Sequence, residues 1–346
     1  MTEKENYMKL LRGEQPEWVP KFTFTTVGAK HAPTAMVAPD ITSYHRKEPG
    51  ISIDVWGVTH VPVEEAGGGK IPEPDNFILK DIRQWRDVIK APDISGVDFE
   101  GDAKRDLEKI DRNETAVTYD LSGGFFQLLI SFMGFTEGLC AMFEEPEEVK
   151  ALMEYLSDFT AKLNEKCIHY YKPDVASLVD DTATWQNPFF SIEMYRELIK
   201  PYHARQAKIA TDLGLGIDMH NCGRCEDFID DWREFGVVSW NPAQTSNDLV
   251  AIKKKYGNSL ILAGCWDSRG RIAAPDVTEE TVKQAVYKTI DTFAPGGGYM
   301  FQGGFLGKPG DPETAKKNKW IEEAVETYGR TFYRRADLVR ISRTDS

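Results

Sequence analysis

The chain predicts an α/β fold, a (β/α)8 TIM barrel in one domain spanning residues 1–346, and three observations carry that prediction. Short β-rich runs alternate with longer amphipathic runs through most of the sequence, as in a chain of βα units. Many of the short runs are almost continuously apolar, the pattern of parallel strands covered on both faces. Polar residues gather directly after several of these runs, at the strand ends where such barrels keep their chemistry.

The predicted strands cover 21–26, 52–56, 115–120, 175–180, 215–220, 237–240, 259–264 and 299–302. In 146–171, Val149, Leu152, Met153, Leu156, Phe159, Leu163 and Cys167 recur at intervals of three and four, one apolar face of a helix. The 191–213 run is also helical, with Pro201 expected to split it in two. A third helix is expected over 277–293, with Thr278 as its N-cap and Glu279 and Glu280 in the first turn. A last helix covers 312–328, opened by Pro312. The stretch 57–114 is glycine- and proline-rich, with one short helical run at 81–89, and reads as an insertion behind an N-terminal extension. An open doubly wound sheet is the competing architecture for this alternation.

Composition narrows the functional classes. Lys and Arg total 42 against 55 Asp and Glu, a net charge of −13, which argues against a general binder of nucleic-acid backbones. The first residues, MTEKENYMKLLRG, carry charges where a signal peptide needs an apolar stretch, and no run approaches the length of a membrane span. The five cysteines are too sparse for a disulfide framework, so a reducing cytoplasm is the expected setting. Cys167 and Cys140 both lie in apolar stretches and are expected in the core.

The sharpest chemical signal is the run Asp218-Met219-His220-Asn221-Cys222-Gly223-Arg224-Cys225. On an extended segment, the two-residue spacing of His220 and Cys222 puts an imidazole and a thiol on one side, both suitable zinc donors. Cys265, at the end of a later strand, is the expected third ligand; Cys225 is another candidate. The alternative is a hydrogen-bonded histidine beside inert cysteines. Asp180 and Asp181 follow the apolar run 175–179, and each can complete a metal site, move a proton or cap a loop. Their adjacency on a strand aims them opposite ways. His60, near Asp54 and Trp56, is a third catalytic candidate, while Trp56, Tyr119, Trp185 and Phe305 are candidates for an aromatic wall against a planar ligand. Tyr119 and Asp120 precede Ser122-Gly123-Gly124. Glycines also bracket the last strand across 295–304, without forming a nucleotide-binding motif.

Together these pieces resemble the uroporphyrinogen decarboxylase superfamily, specifically its corrinoid-associated, O-demethylase methyltransferase I-like branch. The resemblance rests on IDVWGVTH at 53–60, LKDIRQWRDVIKAPD at 79–93, the run DDTATWQNPFFSIEMYRELIKPYHARQ at 180–206, DMHNCG at 218–223 and FAPGGGYMF at 293–301. It implies a barrel that transfers methyl groups to or from a cobalamin carried by a separate corrinoid protein, with zinc held by an HxC pair that matches His220 and Cys222. Members that methylate thiols add a late cysteine, expected near 302–305, where this chain has none. That departure favours a relative that demethylates a small methylated substrate such as a methoxylated aromatic. The decarboxylase branch uses an arginine-rich N-terminal segment, and the corresponding FTFTTVGAKHAPTA contains no arginine. A decarboxylase-like lyase and a noncatalytic corrinoid-protein binding module are the rival functions, and a homo-oligomer is among the expected assemblies.

Overall fold

The computed structural model describes residues 1–22, 32–42, 45–48, 50–63 and 69–335. Its centre is a seven-stranded parallel sheet: β1 (Thr34–Val37), β6 (Ala116–Asp120), β7 (Val175–Val179), β8 (Gly216–His220), β9 (Val237–Ala243), β10 (Ile261–Cys265) and β11 (Tyr299–Gln302). They lie side by side in that order, each next to its successor in this series. Beyond β11, Lys21 forms an isolated parallel bridge to Phe301; the Phe301 amide donates to the Pro20 carbonyl, and the Phe22 amide to the Phe301 carbonyl. The predicted strand 21–26 therefore begins beside β11, and residues 23–26 lie outside the described residues.

The predicted strand at 52–56 is a correction. Ile51–Ile53 (β3) pairs antiparallel within a second sheet, ordered β2 (His45–Glu48), β3, β4 (Thr59–Val63) and β5 (Gly69–Pro72). The place in the parallel sheet belongs to β1, whose four residues TAMV are too short to show a period. The small sheet uses the start of the predicted insertion. Farther along the insertion, the 81–89 run forms a 3₁₀ turn capped by Asp81, followed by the helix Trp85–Val88.

The helices follow their local signals. Pro146–Tyr171 buries Leu152, Met153, Leu156, Leu163 and Cys167 in the core. The 191–213 run breaks at Ile199, two residues before the proline, giving Ile192–Leu198 and Lys200–Thr211. Pro201 thus opens the second helix, where it lacks no hydrogen bond that the helix needs. Thr278 caps Glu279–Phe293 by accepting the Thr281 amide, and Asp311 caps Pro312–Ala324 by accepting the Thr314 amide.

Among the helices not read from the sequence are Phe125–Met133 and Phe135–Glu144, which meet at 111° across Gly134. Gly134 has φ 89°, and a Cβ there would stand 2.7 Å from the Phe77 ring, so both the backbone and the packing need glycine. Cys140 lies on the outer face of the second helix and is exposed, against the expectation of a core position; Cys167 is fully buried. No single helix among the described residues is long and apolar enough to cross a membrane.

Leu156 is fully buried where the long helix meets the core. Leu156→Ala is expected to cost about 2–5 kcal/mol, read as a lower urea midpoint with unchanged slope.

Candidate metal centre and cavity

Strand β8 ends at His220, and Cys222 follows two residues later on the same side. Strand β7 ends one residue before Asp180, and Asp181 turns toward the β8 end. The result is a group of three donors, Asp181, His220 and Cys222, whose ligand atoms all lie within 4.8 Å of one another. His220 Nε2 stands 3.8 Å from Cys222 Sγ and 3.7 Å from Asp181 Oδ1.

Each member is held in place. Asp181 Oδ1 accepts the Cys222 amide at 2.8 Å, and Oδ2 accepts Gln127 Nε2 at 3.1 Å. His220 Nδ1 lies 2.8 Å from Asn241 Oδ1, and Asn241 Nδ2 donates to Asp218 Oδ2 at 2.7 Å. The bond to Asp218 aims the amide oxygen at the imidazole, so Nδ1 carries the proton and Nε2 presents its lone pair to Asp181 and Cys222. Outer partners of this kind fix the tautomer of metal-binding histidines. Gly223, with φ 94°, brings the chain round after Cys222; a Cβ there would lie 2.4 Å from the Thr184 carbonyl oxygen. Burial, with Asp181 nearby, pushes the Cys222 thiol up to about 12, so without a cation it is protonated.

The other cysteines stand apart from this group. Cys265 ends β10 and is fully buried with φ 60°, and burial raises its thiol; the donor group does not include it. The third donor beside His220 and Cys222 is Asp181 in its place, because β7 is the immediate neighbour of β8 while β10 lies two strands away. Cys225 is buried, and its thiol points to Asn221 Oδ1 at 3.2 Å and the Cys222 carbonyl at 3.1 Å.

Asp180 faces the opposite way from Asp181. Its buried carboxylate accepts the Phe126 and Gln127 amides, each at 3.0 Å, and contacts His203 Nε2 at 3.0 Å. It caps Phe125–Met133 from outside that helix and touches no open space.

A cavity of about 760 Å³ opens beside the donor group. The small sheet supplies Lys70 and His60, and the β3–β4 loop supplies Asp54 and Trp56; Asp120, Val179 and Asp181 come from the ends of β6 and β7. Gln127, Leu128, Phe135, Phe159 and Leu163 come from the helices. His60 Nε2 lies 3.0 Å from Asp54 Oδ2. Trp56 packs edge-on against Phe132 and Phe159. Among the four aromatic candidates, only Trp56 lines this cavity. Tyr119 is fully buried with its hydroxyl donating to Asn164. Trp185 is partly exposed beneath the Arg269 guanidinium, and Phe305 packs against Trp266.

The wall that sequence reasoning missed is Phe77, Phe135 and Phe159, on elements whose juxtaposition has no local signal. Asn241 and Gln127 were also missed. Asn241 did have a signal, since it is a polar residue ending an apolar strand.

The uroporphyrinogen decarboxylase (URO-D) family model matches residues 60–314. The chain belongs to the uroporphyrinogen decarboxylase family. No curated protein matches it by sequence. Among solved structures, a methyltransferase from Methanosarcina mazei superposes with TM-score 0.58 at 12% identity, covering 95% of this chain and 99% of that one. At that identity the match speaks for the fold. A sugar phosphate isomerase/epimerase from Parabacteroides distasonis gives TM-score 0.31 at 12% identity over 71% of this chain and 81% of that one, a weak likeness only. The family match takes in the whole donor group and the cavity lining from His60 onward, while Thr42, Asp54, Val55 and Trp56 lie before it.

Asn241→Ala removes the acceptor that fixes His220, and is expected to weaken zinc affinity about 10–100-fold in competition with a chromogenic chelator. Zinc binding to the wild type is expected to release about one proton from Cys222, so affinity rises with pH; calorimetry in buffers of different ionisation enthalpy reads this directly.

Proposed function

We propose that this member of the uroporphyrinogen decarboxylase family is a methyltransferase that moves a methyl group from a small O-methyl compound, a methoxylated aromatic, to the Co(I) corrinoid of a partner protein. The observation that carries the reading is the convergence of Asp181, His220 and Cys222 at the edge of an aromatic-lined cavity. One nitrogen, one sulfur and one oxygen donor fit zinc, and three protein ligands are the pattern of a catalytic site with a position left for substrate. His220, Cys222 and Asp181 would hold the ion, which when bound supplies Lewis acidity to the donor oxygen.

The chain's own residues do the rest. Trp56, Phe77, Phe135 and Phe159 offer flat apolar surface to a ring, orienting the methyl group and excluding water from it. Gln127 and the Cys222 amide hold Asp181 in register with His220. A porphyrinogen decarboxylase needs several cationic side chains for a polycarboxylate; among the described lining residues of this cavity, Lys70 and His60 are the only basic ones, and no arginine is present. We also propose that the parallel sheet closes into the full (β/α)8 barrel beyond β11, a reading supported by the bridge of Lys21 to Phe301.

Purified protein from zinc-replete growth is expected to hold about one zinc per chain, and less than about a tenth of an equivalent would sink the metal assignment. Cob(I)alamin with a panel of methoxylated aromatics is expected to give methylcobalamin by absorbance. Trp56→Ala should raise KM about tenfold or more, from roughly 1.4 kcal/mol or more of lost ring contact, while zinc content stays unchanged.

A further inference from the structure

Breaking a methyl–oxygen bond leaves an electron pair on oxygen, and a basic oxygen departs poorly unless it gains a proton. Four aspartates stand at the strand ends and cavity wall, and their hydrogen bonds separate them. Asp180 is committed to the Phe126 and Gln127 amides and to His203. Asp54 accepts the Trp56 and Val58 amides through Oδ1 and contacts His60 through Oδ2. Asp181 has Oδ1 on the Cys222 amide and Oδ2 on Gln127.

Asp120 differs from these three. It ends β6, the strand beside β7, and lines the cavity together with Asp181. Its Oδ1 accepts the Ser122 amide at 2.9 Å, in a turn where Ser122 itself takes φ 50°. Among the described residues no hydrogen bond engages Oδ2, and no lysine, arginine or histidine stands within ion-pair distance of the carboxylate, His220 acting on it only from farther off.

We propose that Asp120 is the acid that protonates the departing donor oxygen, an assignment that rests on the methyl-transfer reading above. The methyl carbon forms its new bond to the corrinoid acceptor as the C–O bond breaks. The electron pair stays on oxygen, and the Asp120 proton moves to it, giving the free hydroxyl compound. Asp120 is left as carboxylate and regains its proton from water.

The surroundings suit an acid. Burial raises the Asp120 carboxyl, opposed by the Ser122 amide and by His220. The other titratable groups on the same cavity are Asp54, His60 and Lys70 from the small sheet and its β3–β4 loop, and Asp181 from the β7 end; His220 of β8 lies behind Asp181. The protein thus divides its acids by environment: Asp181 beside the cation donors, Asp120 facing the substrate space. Pairs of carboxyl groups with separated environments are how one site runs both roles.

The test uses zinc-loaded full-length protein, cob(I)alamin, and methyl aryl ethers whose phenols range from strongly to weakly acidic. Asp120→Asn is expected to lose about 10²–10⁴-fold in kcat/KM with the most basic leaving oxygen and little with the most activated one. It should keep the zinc content and far-ultraviolet circular dichroism of the wild type. An equal loss for every donor, or none, overturns the assignment while leaving methyl transfer standing; a wild type that methylates cobalamin from no donor overturns both. Should Asp120→Asn fail to fold, the wild type alone decides, because acid assistance predicts a shallow dependence of rate on leaving-group acidity and a steep one overturns it. An independent readout is the infrared carboxylic-acid carbonyl band of the metal-free protein. Wild type minus Asp120→Asn should show a band that persists above the ordinary aspartate range of pH, and a band lost within that range overturns the proposal.

Discussion

The Asp180 carboxylate is the interaction on which the site geometry depends. A buried carboxyl would be costly to desolvate alone, and this one is met by two backbone amides and an imidazole. Those amides are the N-terminus of Phe125–Met133, so the bond couples the β7 end to the helix that walls the cavity. The Asp180 amide in turn donates to the His220 carbonyl, which ties β7 to β8 at the level of the metal donors. His203 is itself fixed by Tyr195 through Nδ1. One residue therefore ties wall to donor strand, its carboxylate holding the helix and its amide holding the His220 carbonyl.

Its neighbour shows how a strand turns one pair of residues into two functions. Successive side chains point to opposite sides, so the same backbone that buries Asp180 delivers Asp181 to His220 and Cys222. Gln127 makes the link explicit: its amide binds Asp180 and its side chain binds Asp181. A helix N-terminus held in place by the structural carboxylate thus orients the chemical one. The imidazole has a parallel support in Asn241 and Asp218, buried below the donors, where Asp218 is raised by desolvation and steadied by Asn241. Asp180, Asn241 and Asp218 are all buried, so the donor group is braced from beneath by side chains that have little room to move.

Much of the helical framework was legible because its signals are local. A periodic apolar face, a threonine cap and a proline in a first turn act within a few residues, and Pro146–Tyr171, Glu279–Phe293 and Pro312–Ala324 formed where those signals stood. The pair Phe125–Met133 and Phe135–Glu144 was missed because its near-continuous apolar sequence hides any period; Gly134 and the ring of Phe77, distant in sequence, decide its bend. The 51–53 strand looked like any other short apolar run, and only its antiparallel partners assign it to the small sheet.

The alternating α/β architecture, the polar residues after apolar strands and the His220–Cys222 pair are all legible in the chain, since each follows from spacing along one segment. The third donor was decided by tertiary structure alone. Strand order sets which residues share an end of the sheet, and it put Asp181 beside His220 while leaving Cys265 two strands away. The same holds for the cavity, where Trp56, Phe77, Phe135 and Phe159 meet across four separate segments. Chemistry carried by one stretch of chain is written in its period; chemistry assembled between stretches depends on packing, which no single stretch records.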